Sequence, residues 1–163
     1  AVRPDLTFAE LRGNIPTRLT RIPDGGAIVM AVAALEVLDA TDRIAERLDP
    51  TQFVPAVGQG CVAVECRSDD AETIERLAAV DHGPTRAAVL VERAFLAELG
   101  SGCSMPVGAH VSAGRLHLFL AEEHASGDHA RWILDAVDLT GDLVADLALA
   151  RSAAERAQAA VSS

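Results

Sequence analysis

Two glycines and a proline within seven residues, Gly100, Gly102 and Pro106, set the strongest limit on what this chain can build. Upstream, Ala88, Val91, Phe95 and Leu99 lie three or four residues apart and so share one helical face, with Arg86, Glu92, Arg93 and Glu98 at the other positions. Downstream, Leu116, Leu118 and Leu120 alternate with Arg115, His117 and Phe119, the period of a sheet with one buried face. Glycine adopts left-handed backbone without strain and so ends helices, and proline blocks a restart. The spacing predicts a helix over 85–99, a turn, and strands over 107–112 and 115–121 joined by Ala113-Gly114. The turn carries one thiol, Cys103. A cysteine on a glycine-flanked turn is open to a ligand, although free cysteines also commonly fill core space.

The remaining elements follow from local signals. Residues 1–12 read as a strand ending at Arg12. Asn14 caps a helix with Pro16 in its first turn, a favoured place for proline, and that helix runs through Arg18 to about Ile22. After the Pro23-Asp24-Gly25-Gly26 turn, the apolar run Ala27–Val32 predicts a buried parallel strand, and 34–48 a helix. Strand–helix–strand–helix order places residues 1–52 in part of an α/β layer. Residues 53–67 form a connection in which Val62–Cys66 alternates as a strand. Val57-Gly58-Gln59-Gly60-Cys61 is glycine-rich but lacks the spacing of a nucleotide loop.

From Asp69-Asp70-Ala71-Glu72 a helix runs to about Val80, with His82 in the solvated turn that follows. Ser126-Gly127-Asp128 is a turn, and residues 130–137 give a third strand. Thr140 caps a last helix with Asp142 in its first turn. Its apolar face is Leu143, Leu147, Ala150 and Ala154, and its end frays over 158–163. Residues 68–163 are thus an α+β unit of helices on a three-stranded antiparallel sheet.

Hydrophobic residues make up 50% of the 163 positions but aromatics only 3%, so the core is aliphatic. A net charge of −10 argues against nucleic-acid binding and makes clustered arginines more informative. Three cysteines without a CxxC pair support neither a zinc site nor a disulfide framework, and fit a reduced, cytoplasmic compartment. His117, His124 and His129 match no ligand spacing, so no metal is expected. No apolar run is long enough to span a bilayer, and Cys61 and Cys66 are expected to be core thiols. Arg12 and Arg18 flank a strand-to-helix turn. Arginine's planar fork suits carboxylates, and the alternative is two surface residues.

Gly102-Cys103-Ser104-Met105-Pro106-Val107-Gly108, preceded by Glu92-Arg93-Ala94, resembles the cofactor-attachment loop of the porphobilinogen deaminase (hydroxymethylbilane synthase) family. Leu11-Arg12-Gly13-Asn14 with Thr17-Arg18-Leu19, and Pro55-Ala56-Val57-Gly58-Gln59-Gly60 with Val64-Glu65-Cys66-Arg67, resemble two further family segments in the same order. The resemblance implies the later half of a periplasmic-binding-protein-like α/β domain, a strand returning toward a first domain, and a small C-terminal α+β domain. It also implies the joining of four porphobilinogen molecules into hydroxymethylbilane with release of ammonia. A dipyrromethane cofactor would hang from Cys103 by a thioether. Arg12 and Arg18 would bind its acetate and propionate groups, Arg93 would face the cleft, and the Gly58-Gln59 segment would help form it.

The implied partner is porphobilinogen, with no nucleic acid or membrane, and a monomer at full length. Several positions depart from the family. Val37 stands where arginine is common, Cys61 where alanine is common, and the strand before Ala27 is short. The family's acid/base Asp and an arginine pair belong to a part expected upstream of Arg3, so no catalytic residue is assigned in this chain. A buried pairing of Arg93 with a neighbouring Glu is the structural alternative to its cleft role. The competing reading of the whole is a non-catalytic relative binding an acidic small molecule or a protein.

Overall fold

The computed structural model of the protein describes residues 5–100, 105–122 and 131–162. The chain forms two compact units, one ending at Leu48 and the other beginning at Asp49.

The second unit has two layers. Three antiparallel strands, β1 (Val107–Ser112), β2 (Arg115–Ala121) and β3 (Trp132–Asp138), lie in that spatial order. Ala113 (φ 49°) and Gly114 (φ 73°) turn β1 into β2. Positive φ at both central residues matches the right-handed twist of a hairpin, and it sets the pairing Ser112↔Arg115 through Val107↔Leu120. The predicted strand bounds for β1 and β2 hold, while β3 begins at Trp132.

Helices α4 (Gly83–Glu98) and α5 (Leu143–Ser162) pack on each other, α4 also against β1 and α5 against β2 and β3. The core joins Val91, Ala94, Phe95 and Leu99 of the α4 region to Leu116, Leu118 and Leu120 of β2 and Ala150, Ala153, Ala154 and Ala157 of α5. The alanines let two helices approach closely where aromatics are scarce.

Of the face expected on α5, Ala150 and Ala154 are buried in this core and Leu147 packs against it. Leu143 is exposed, and burial runs from Ala150 to Val161, which keeps residues 158–162 helical rather than frayed. Asp142, not Thr140, caps the helix by accepting from Ala145 N at 2.9 Å. The buried Asp146 carboxylate instead takes Thr140 N (2.7 Å), Thr140 Oγ1 (2.8 Å) and Gly141 N (3.2 Å).

Ahead of these lies α3 (Ala71–Ala78), capped by Asp70, which accepts from Thr73 N and Oγ1 at 3.0 and 2.8 Å. His82 is more than a solvated turn residue. Its Nδ1 accepts from Thr85 N at 3.3 Å, so it caps α4.

The first unit holds α1 (Ile15–Thr20), α2 (Val32–Val37) and a 3₁₀ turn (Thr41–Arg43). Asn14 caps α1 as predicted, accepting from Thr17 N at 3.0 Å. The expected turn at Pro23–Gly26 also forms, with Gly26 N donating to Pro23 O at 2.9 Å, but the expected strands and the long helix do not. No strand forms among the described residues 5–12 or over 27–32, the helix expected over 34–48 is reduced to α2 and the short turn, and 62–66 joins no ladder. A strand needs a hydrogen-bonded neighbour, and these runs have none among the described residues. Their side chains show it: Val29 is 82% exposed and Val62 88%. The predicted turn at 126–128 lies outside the described residues.

Gly108 sits where an added Cβ would fall 2.5 Å from the Val54 carbonyl oxygen. Gly108→Ala is expected to lower unfolding free energy by about 1–3 kcal/mol. Gly83→Ala, with nothing within 4 Å, should leave it unchanged or raise it by up to about 1 kcal/mol. Denaturant unfolding of both variants checks the pair. Hydrogen bonds from Thr73 hold the Asp70 carboxyl below its ordinary value. Its stabilisation is therefore present above the unfolded carboxyl's pKa and is lost as pH falls through the depressed one. Asp70→Asn should remove that acid-side dependence in melting curves taken between pH 7 and 3.

Candidate functional site

Within the second unit, α4 and the turn at 57–61 form the walls of a groove of about 530 Å³. Val57, Ala63, Val89 and Leu96 supply its apolar lining, Arg93 and Cys61 its polar groups, and Gly100 lies at its edge. Arg93 is exposed and makes no ion pair among the described residues. The alternative of a buried pairing with a neighbouring Glu is thereby excluded for those residues.

The reason lies in a 100° step around the helix. Arg93 points to the groove, while Glu92, one residue earlier, is 5% exposed and points inward. The Glu92 Oε2 atom accepts from Gly58 N at 2.8 Å, and Oε1 accepts from Val111 N at 2.9 Å. His110 Nδ1 lies 3.6 Å from the same Oε1. One carboxylate thus joins α4, β1 and the groove turn.

The turn is otherwise closed on itself. Gly58 (φ 73°) and Gly60 (φ 84°) take conformations that favour glycine. Gln59 N donates to Ala56 O and Cys61 N to Gly58 O, both at 3.0 Å. Ahead of it, Ala109 N donates to Pro55 O at 3.0 Å, which fixes the segment to β1. The Gly58 N–H is consequently spoken for, and the exposed Gln59 side chain is what this turn presents. Cys61 and Cys66 are half-buried and free, so the expectation that they are core thiols is not met.

Cys103 lies outside the described residues. Arg12 and Arg18, both in the first unit, differ in state. Arg12 is exposed and pairs with Glu10 Oε2 at 2.9 Å. Arg18, on α1, is half-buried, and its Nε is buried without a hydrogen-bond partner among the described residues. A buried guanidinium N–H left unmatched is a costly group whose natural complement is an oxyanion. Among the described residues no set of three His, Cys, Asp or Glu side chains could hold a metal ion. No described helix is long and apolar enough to cross a membrane.

Two family models match the chain. Residues 1–75 match the porphobilinogen deaminase, dipyromethane cofactor binding domain. Residues 86–124 match the porphobilinogen deaminase C-terminal domain. The chain belongs to the porphobilinogen deaminase family. Among curated relatives, the porphobilinogen deaminase of Xanthomonas campestris pv. campestris is 43% identical over 95% of this chain and 54% of its own length. That of Roseiflexus sp. (strain RS-1) is 49% identical over 67% of this chain and 37% of its own. That of Nocardia farcinica is 53% identical over 64% and 31%. The chain therefore spans between about a third and a half of the length of these relatives.

Glu92 is the residue that sequence reasoning misplaced. It was legible: it stands four residues after Ala88, three before Phe95 and seven before Leu99, inside the apolar stripe. Arg93, by contrast, is exposed and makes no ion pair among the described residues. Arg93→Ala is expected to change unfolding free energy by no more than about 0.5 kcal/mol, measured by chemical denaturation.

Proposed function

We propose that this protein acts as a porphobilinogen deaminase, a transferase that joins four porphobilinogen units into hydroxymethylbilane and releases ammonia. The observation that carries the reading is the exposed Arg93 guanidinium, which makes no ion pair among the described residues, on an apolar groove edged by Gly100. Cys103 follows three residues later, a reach of no more than about 11 Å of chain. Pyrroles carrying carboxylates need this mixture, an apolar wall for the ring and a guanidinium for the acid.

The chain's cationic donors fit a dipyrromethane group. Taken singly, the Arg18 Nε, without a hydrogen-bond partner among the described residues, the Arg93 guanidinium and, once freed from Glu10, that of Arg12 would each offer donors to a carboxylate. Cys103 would hold it through a thioether, since a soft thiolate is the effective nucleophile toward a carbon electrophile. When bound, the group supplies a tethered pyrrole carbon as the nucleophile for each addition. The protein's own part is positional. Tethering converts each later encounter into a local one at high effective concentration, and arginines fix the carboxylates of successive units. Gln59, exposed beside Gly58, would offer its side-chain amide to the same ligand.

In this reading the first unit belongs to a periplasmic-binding-protein-like α/β domain, and residues 53–67 are the connection between domains. The protein works as a cytoplasmic monomer on a small-molecule substrate.

The test is intact mass together with an aldehyde reagent that colours pyrroles, on protein made in cells that supply porphobilinogen. The expected result is a coloured adduct, lost in Cys103→Ser and retained in Cys61→Ser and Cys66→Ser. An adduct that survives Cys103→Ser, or an unmodified and colourless wild type, overturns the assignment. Arg18→Leu should reduce turnover about tenfold or more, as expected for the loss of a charge-assisted contact, without a matching loss of melting temperature.

A further inference from the structure

We propose that Glu92 is a positioning residue for this site: its buried carboxylate holds the Gly58 turn against α4 and so sets the width of the groove that Arg93 faces. The inference rests on the deaminase reading for what the groove binds, and on geometry for how Glu92 acts.

The two walls of the groove come from segments 34 residues apart in sequence, and the bond from Gly58 N to Glu92 Oε2 is the hydrogen bond that joins them. Its partner from Val111 N anchors the same carboxylate to the sheet, so the acid cannot swing with the turn. Glu92 is 5% exposed and one residue from Arg93. A shift of the Glu92 backbone therefore moves Arg93 with it, while loss of its carboxylate releases the N–H groups of Gly58 and Val111, of which Val111 stays paired with Leu116 in the sheet. Gly58 donates to Glu92 and not to a ligand, which explains a glycine at φ 73° whose added Cβ would meet nothing within 4 Å. The open space shows that packing does not require glycine there, while the backbone conformation that aims its N–H does.

A glue for the whole fold and a spacer for one groove predict different results. In Glu92→Gln the amide keeps the shape but offers a single acceptor for two N–H groups. Measured on the full chain well below its melting transition, the variant should show a KM for porphobilinogen raised about tenfold, with kcat changed less than about threefold. Hydrogen exchange should quicken in peptides covering residues 54–62 and stay as in wild type over β2 and β3. Gly58→Ala should raise KM as well, and the double variant should show less than the product of the two effects, because both act on one contact.

Should Glu92→Gln not fold, Glu92→Asp keeps both acceptors and the charge on a stem one methylene shorter, and is expected to give the same change in KM. A wild-type KM in a folded variant overturns the positioning role, as does exchange that quickens equally throughout the second unit, or failure of both variants to fold. Wild type without turnover or adduct overturns the deaminase reading instead. The exchange pattern then still decides whether Glu92 anchors the turn.

Discussion

The second unit depends on a carboxylate that has left water. Burying an acid is unfavourable unless hydrogen bonds replace its hydration, and Glu92 finds two backbone N–H groups, from Gly58 and Val111, in segments distant from each other. Each of those N–H groups would otherwise need another acceptor, so the arrangement satisfies donor and acceptor together. The contact is also directional. Hydrophobic burial of Phe95 and Leu118 draws α4 to the sheet without fixing its height, while two bonds at 2.8 and 2.9 Å do fix it.

The same device appears at the far side of the unit. Asp146, near the start of α5, folds the β3–α5 connection onto itself through Thr140 and Gly141. The two acids differ in span. Asp146 ties residues five and six positions away, which is local capping, whereas Glu92 reaches 34 residues back. A local cap organises one connection. A long-range one sets the relation between a turn and a helix, and here that relation is the shape of the groove.

What could be read from the sequence divides along the same line. Signals completed within a few residues came out as expected, the Thr140 cap excepted: the Asn14 cap, the Asp70 cap, the Ala113-Gly114 hairpin, and the alternation of β2. Signals that need a distant partner did not. Ala27–Val32 has the composition of a buried strand, but a strand is a property of a pair, and among the described residues it has no neighbour to bond. Only the ends of the α5 face, Leu143 and residues 157–161, were misjudged, for a related reason. Which alanines are buried depends on where α4 lies, and an alanine-rich helix carries little in its own pattern to say so.

At the site, sequence alone distinguished residue types but not their directions. The spacing predicted for this helix sets Glu92 and Arg93 alike off the apolar face, and only the family resemblance directs Arg93 to a cleft. Position 92, however, lies within the stripe that Ala88, Phe95 and Leu99 define, and a charge there must find partners or destabilise the core. Adjacent opposite charges on one helix are thus an informative pair, because 100° of rotation cannot keep both at the same boundary. One is driven into the core, where it must be saturated by fixed donors. The other is left at the groove without an ion pair among the described residues, where its planar fork suits a carboxylate.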